Sequence, residues 1–234
     1  MADEHGLLLT NLLRQKGVEP SQIDAACICS VVPPLTGVLD EVCQNCFNVK
    51  PLTVSVGTRT GLKILYDSPR DVGADRIVDA VAAIDLYGPP LIVVDLGTAT
   101  VFDAVSKDSE YLGGAIAPGI SLAAEALFLN TSQLRRVELA APKSAIGQNT
   151  TMALQSGLVL GYAGLVTSMV ERFKSELGQD ARVIGTGGLI DVVAKETKVF
   201  DAINPDLTLI GLRLIHELNQ QRPAPPVHQS TREG

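Results

Sequence analysis

The sequence predicts an α/β protein made of two unequal halves, and three observations carry that reading. Short, β-rich apolar runs end at glycine, proline or a carboxylate. Stretches with apolar residues at helical spacing alternate with them along the chain. From residue 91 the pattern changes to three strands in succession, and no such succession opens the first half.

Residues 3–16 are expected to form a helix, with Leu8, Leu12 and Leu13 as its apolar stripe and Gly17 as its stop. A buried strand is expected at 25–32, ended by Pro33-Pro34, then a helix to about Phe47 and a strand at 52–56. Residues 58–69 read as an irregular loop. The helix at 72–86 places Ile77, Val81 and Ile84 on one face and takes Asp71 as its N-cap. A strand at 91–94 then ends at Asp95, a tight glycine turn leads to a strand at 100–105, and a polar turn at 106–109 precedes a third strand before Gly113-Gly114. A helix at 122–129, long helical sequence through Leu177, a strand at 182–184 and a helix at 207–218 follow. These patterns divide the chain into a first unit at 1–87, a second at 88–220, and a polar tail at 221–234 expected to be disordered. A three-strand meander occupies about 25–35 residues. None precedes the first helix, so the strand at 25–32 is expected to keep an unpaired edge.

Composition narrows the function classes. The 234 residues are 46% hydrophobic, 19% charged and 4% aromatic, which is ordinary globular usage. A net charge of -7 argues against a general binder of nucleic-acid backbones, while leaving room for a local nucleotide site. Asp3 and Glu4 stand where an export signal carries positive charge. Residues 149–170 lack charge and are long enough to raise a membrane question, but their polar residues and the glycines at 157, 161 and 164 read as a buried helix, suited to a subunit interface. Cys27, Cys29, Cys43 and Cys46 admit two readings, a zinc site or buried free thiols of a cytoplasmic protein.

Three segments carry residues suited to chemistry. Asp95-Leu96-Gly97-Thr98-Ala99-Thr100 delivers a carboxylate to a strand end, followed by a turn whose N–H groups and Thr98 and Thr100 hydroxyls suit phosphate oxygens; a plain hairpin is the alternative. Gly73-Ala74-Asp75-Arg76 opens a helix. Asp75 is there either a simple dipole-complementing acid or a base able to accept the proton of an alcohol attacking a phosphate, and Asp79, one turn on, reads as a solvated acid on the same face. Gly185-Thr186-Gly187-Gly188 joins a strand to a helix and allows close approach to a flat ring. No P-loop pattern is present, and His5, His216 and His228 form no triad pattern.

In order, Asp3-Glu4-His5-Gly6-Leu7-Leu8-Leu9, Ser30-Val31-Val32-Pro33-Pro34-Leu35, Tyr66-Asp67-Ser68-Pro69, the Asp75 and Asp95 segments, Gly113-Gly114-Ala115-Ile116-Ala117-Pro118-Gly119, Gly147-Gln148-Asn149-Thr150 and the Gly185 segment resemble the type III pantothenate kinases. The resemblance covers nearly the whole chain except the tail. It implies a duplicated, actin-like (ribonuclease H-like) ATPase fold whose first half lacks its initial strands. It also implies ATP-dependent phosphorylation of pantothenate, the first step of coenzyme A synthesis. By position, Asp75 is the proton acceptor, and Tyr66, Gly73, Ala74, Asp75, Arg76 and Thr150 contact pantothenate. Thr98 is an ATP contact, and Asp95 is the ligand of a monovalent cation, K+ or NH4+. A divalent ion such as Mg2+ accompanies ATP, and the family is a cytoplasmic homodimer.

The family opens with a strand carrying Asp-x-Gly-Asn-Thr, which this sequence does not contain. The expectation is that Met1 is an internal methionine at a truncated or misassigned start, and that residues 1–234 alone bind ATP poorly. Two further readings follow: a non-catalytic family member acting as an accessory or regulatory protein, and an actin-like kinase for another small molecule.

Overall fold

The computed structural model describes residues 1–220, so the tail at 221–234 lies outside the described residues. The first half runs α1 (Ala2–Gln15), β1 (Cys27–Ile28), α2 (Pro33–Phe47), β2 (Leu52–Thr53), β3 (Lys63–Ile64) and α3 (Ala74–Tyr87). Next come β4 (Leu91–Leu96), β5 (Ala99–Val105), β6 (Glu110–Pro118), α4 (Ile120–Leu129), α5 (Thr150–Gln155), a π-helical turn at Ser156–Leu160 and α6 (Gly161–Leu177). β7 (Arg182–Thr186), α7 (Ile190–Ala194), β8 (Ala202–Ile203) and α8 (Leu207–Gln220) complete it. From α1 to α3 the helices and strands alternate in the same order as from α6 to α8, with β3 added.

The main sheet has the order β3-β6-β5-β4-β7-β8. The predicted meander is its antiparallel centre, and β6 continues through Gly113-Gly114 to Pro118 because β5 pairs with it along that length. β4 and β7 pair in parallel, as do β7 and β8. β1 and β2 form a separate parallel pair. The strand expected at 25–32 is thus only two residues long, since among the described residues β1 pairs with β2 alone. Within the expected loop, β3 forms because β6 offers it a parallel edge, which no local pattern announces.

Both faces of β4 are covered, which explains its nearly continuous apolar sequence. Ile92, Val94 and Leu96 join Phe102 and the core of Val159, Val166 and Val170 on one side. Leu91 and Val93 pack on the other side with Ile77, Ala80 and Ala83 of α3. Strand alternation therefore puts Asp95 on the α3 face.

Three helical expectations need correction. On α1, Leu8 and Leu12 are exposed, and the buried residue is Gly6. The helix meets α2 at this smallest residue, where a Cβ would lie 2.6 Å from Cys46 Sγ. The helical sequence between 130 and 149 is not helix; α5 begins afresh at Asn149, whose side chain accepts from the Met152 N–H at 2.9 Å. The apolar helix Thr150–Leu177 has the length and mean hydropathy (1.4) of a membrane span. It sets Leu158, Val159, Ala163, Val166 and Val170 into the core, while Gly157, Gly161 and Gly164 face open space. It is half built into the core, not wholly buried.

α3 and α8 pack closely where Gly211 meets the backbone of Val78. A Cβ at Gly211 would overlap the Val78 carbonyl oxygen. Gly211→Ala is therefore expected to cost about 1–3 kcal/mol of stability through overpacking, despite alanine's better helix propensity. Chemical denaturation measures it, and unchanged or improved stability would contradict the packing described.

Candidate active site

Where the start of α3 faces the end of β4, a cleft of about 240 Å³ opens. It is lined by Asp71, Gly73, Asp75, Arg76 and Asp79, by Asp95, and by Ala99, Val101, Asp103 and Ile116 of β5 and β6. Five carboxylates and one guanidinium thus share a small space.

The predicted base sits in the first turn of α3, where Gly73, not Asp71, is the N-cap residue. Asp71 instead ends a short 3-10 turn, Pro69–Asp71, held by its N–H donating to the Ser68 carbonyl at 2.9 Å. Asp75 turns its carboxylate back so that Oδ1 accepts the Arg76 N–H at 2.9 Å. A Cβ at Gly73 would lie 2.5 Å from that oxygen, so a side chain there would displace it.

Asp95 sits where the backbones of three turns converge. The Gly97 N–H donates to Ala99 O (3.0 Å), the Gly119 N–H to Thr98 O (3.1 Å) and the Leu189 N–H to Leu96 O (3.0 Å). Gly187, at φ +94°, passes so close that a Cβ would overlap Asp95 Oδ1. Burial, followed by the charges of Asp75 and Asp103, pushes Asp95 up to about 6. Thr98 is exposed at the tip of its turn, free to meet a ligand. Thr100 departs from the expectation. It lies on the opposite face of β5 from Ala99, Val101 and Asp103, fully buried, and its Oγ1 has no hydrogen-bond partner among the described residues.

Asp79 is also corrected. It is 3% exposed and accepts the Thr208 hydroxyl at 2.6 Å across the α3–α8 contact. Burial outweighs that bond and pushes it up to about 7. Among the described residues no Lys or Arg pairs with Asp79 or Asp95. Asp95 thus brings carboxylate oxygens without a cationic partner to the cleft, although no group of three or more ligating side chains gathers there among the described residues.

Arg76 is engaged with Asp103. Its Nε and Nη2 donate to Asp103 Oδ1 at 2.9 and 2.7 Å, and the Tyr111 hydroxyl donates to the same oxygen at 2.7 Å. The guanidinium also lies 5.8 Å from the Tyr111 ring centre, and Tyr66 packs beside that ring at 6.4 Å. Sequence reasoning missed Asp103 and Tyr111. The available signal was an acid in the middle of the apolar run Val101-Phe102-Asp103-Ala104-Val105, which requires a partner once buried.

Thr150 lies outside this cleft, beside Gln133 and Arg135 in a separate hollow. The four cysteines are free, and the described residues contain no group of three or more ligating side chains that could hold a metal, which removes the zinc reading. Burial raises the Cys27 and Cys43 thiols and pushes Cys29 up to about 12.

Comparison with known proteins adds the decisive observation. The family model described as type III pantothenate kinase matches residues 1–172. The chain belongs to the type III pantothenate kinase family. A type III pantothenate kinase of Dehalococcoides mccartyi (strain ATCC BAA-2266 / KCTC 15142 / 195) is 48% identical over 94% of this chain and 85% of its own length. That of Roseiflexus sp. (strain RS-1) is 49% identical over 94% and 86%. A crystal structure from Campylobacter jejuni, described as a conserved Baf family transcriptional activator, shares the fold at TM-score 0.59 and 21% identity, covering 86% of each chain. Membership of the type III pantothenate kinases agrees with the mixed α/β architecture and gives the acidic cleft a chemical context.

The raised carboxylates predict a pH dependence. In the unfolded chain both acids titrate near the usual carboxylate value, so between about pH 4 and 7 the folded state holds more protons, and stability falls as pH rises. Asp79→Asn keeps an acceptor for Thr208 and removes the buried charge. It is expected to stabilise the fold at pH 8, by on the order of 1–4 kcal/mol, and much less at pH 5. Thermal unfolding at the two pH values checks it; equal destabilisation at both would contradict the assignment.

Proposed function

We propose that this chain transfers the γ-phosphoryl group of ATP to the primary alcohol of pantothenate. The observation that carries the reading is Asp75, fixed at the start of α3 in a cleft that also contains Asp95 and Ala99, the residue after Thr98. Asp75 accepts the proton of the attacking alcohol, while the donors of the glycine turn and Thr98 hold the nucleotide's phosphate oxygens. Tyr66, Gly73, Ala74 and Arg76 surround pantothenate. Asp95 holds a monovalent cation, K+ or NH4+, and a divalent ion such as Mg2+ neutralises ATP's phosphate charge.

The proposed setting is a cytoplasmic homodimer, in which the first unit ends at residue 87 and the second at residue 220. Exposed Leu122, Leu127 and Leu129 on α4 and the open glycines of the neighbouring π-turn and α6 support the dimer. Thr150, remote from the Asp75 cleft in one copy, takes its pantothenate role in that assembly.

The test is ADP release that requires both ATP and pantothenate, measured for residues 1–234 and for a version preceded by an Asp-x-Gly-Asn-Thr strand. Asp75→Asn is expected to lower kcat about 10²–10⁴-fold with the melting temperature nearly unchanged. Retained turnover would remove Asp75 as the base. No turnover in either version would favour an accessory role, and preference for another alcohol would favour a different small-molecule kinase.

A further inference from the structure

We infer that Asp103 and Tyr111 are positioning residues that aim the Arg76 guanidinium at bound pantothenate. The inference rests on the proposed reading that Arg76 touches this substrate. The family resemblance assigns a role to neither residue, and the case comes from how the three groups are placed.

Asp103 is 2% exposed and Tyr111 is fully buried. Both stand on the central meander, whose paired strands fix their backbones. Three donors converge on one oxygen, Asp103 Oδ1: two from Arg76 and one from Tyr111. The Tyr111 ring supports the guanidinium from a second direction. The pleat is cut away to admit this arrangement. A Cβ at Gly114 would overlap the Phe102 carbonyl oxygen and lie 2.9 Å from both Arg76 Nη2 and Asp103 Oδ1.

Stability alone is a poor reason for such a pair. Burying two charges is costly, and well-packed apolar residues often serve a core as well or better. What the arrangement provides is orientation. An arginine side chain has much rotamer freedom, and a ligand that had to order it would bind correspondingly less tightly. Here Nε and Nη2 are already committed. Nη1 has no partner among the described residues, and Arg76 lines the cleft beside Asp75. A guanidinium held by one edge can donate from its remaining nitrogen without reorganising.

The experiment is calorimetric titration of the folded chain with pantothenate and, separately, with a non-hydrolysable ATP analogue. Tyr111→Phe is expected to weaken pantothenate binding about 3–10-fold and Asp103→Asn about 10-fold or more, with analogue binding changed less than about twofold. Adding Tyr111→Phe to Arg76→Lys is expected to cause little further loss, because both changes remove the same aimed donor. The inference is overturned if Tyr111→Phe binds pantothenate like the parent while Arg76→Lys does not. It is equally overturned if the variants lose both ligands in parallel, which is the signature of a merely structural role. If Arg76→Lys leaves pantothenate binding intact, or the parent chain binds none, the underlying substrate reading fails together with it. Should Asp103→Asn not fold, the Tyr111→Phe comparison decides.

Discussion

Crowding of like charge governs this molecule. Asp71, Asp75, Asp79, Asp95 and Asp103 share one cleft with a single arginine, and burial raises three of them above their usual range. Like charges in a desolvated space repel. The fold tolerates the assembly because each acid has a local arrangement. Asp75 has a helix start and a neighbouring N–H, Asp79 a threonine hydroxyl, and Asp103 three donors. Asp95 has backbone turns and an open side. That remaining imbalance is the feature on which the proposed cation site rests.

The arginine is correspondingly constrained. It sits directly after Asp75 in the chain, yet its guanidinium is committed to a strand across the cleft. The Asp75 carboxylate and the Arg76 guanidinium are thereby separated although adjacent in sequence. Asp75 stays available because Arg76 is occupied by Asp103, and a direct pair between α3's first acid and its first arginine does not form. The glycines belong to the same logic: Gly73, Gly114 and Gly187 each withhold a side chain where a carboxylate or guanidinium must pass.

Much of this was legible in the sequence. The apolar run ending at Asp95 and the helix opening at Asp75 could be read locally, because strand alternation and helix spacing are properties of short segments. The six-stranded order could not. β3 exists only because β6 presents an edge to it, and the short β1 reflects how little pairing it has, which no window of residues reveals. Asp79 looked solvated because its partner, Thr208, is 129 positions away. Thr100 looked like a phosphate donor until the pleat placed it on the far face. Leu8 and Leu12 formed a convincing stripe, but the helix turned a glycine inward.

The contact between Gly211 and Val78 has a mechanical meaning. By sequence α3 belongs to the front of the chain. Yet its inner face rests on the large sheet, its Asp79 is tied to α8, and its backbone nearly touches that last helix. Asp75, the proposed proton acceptor, is thus anchored to the rear of the molecule through its helix. If the α1–α2 layer swings as partners arrive, Asp75 stays with the sheet that carries Asp95.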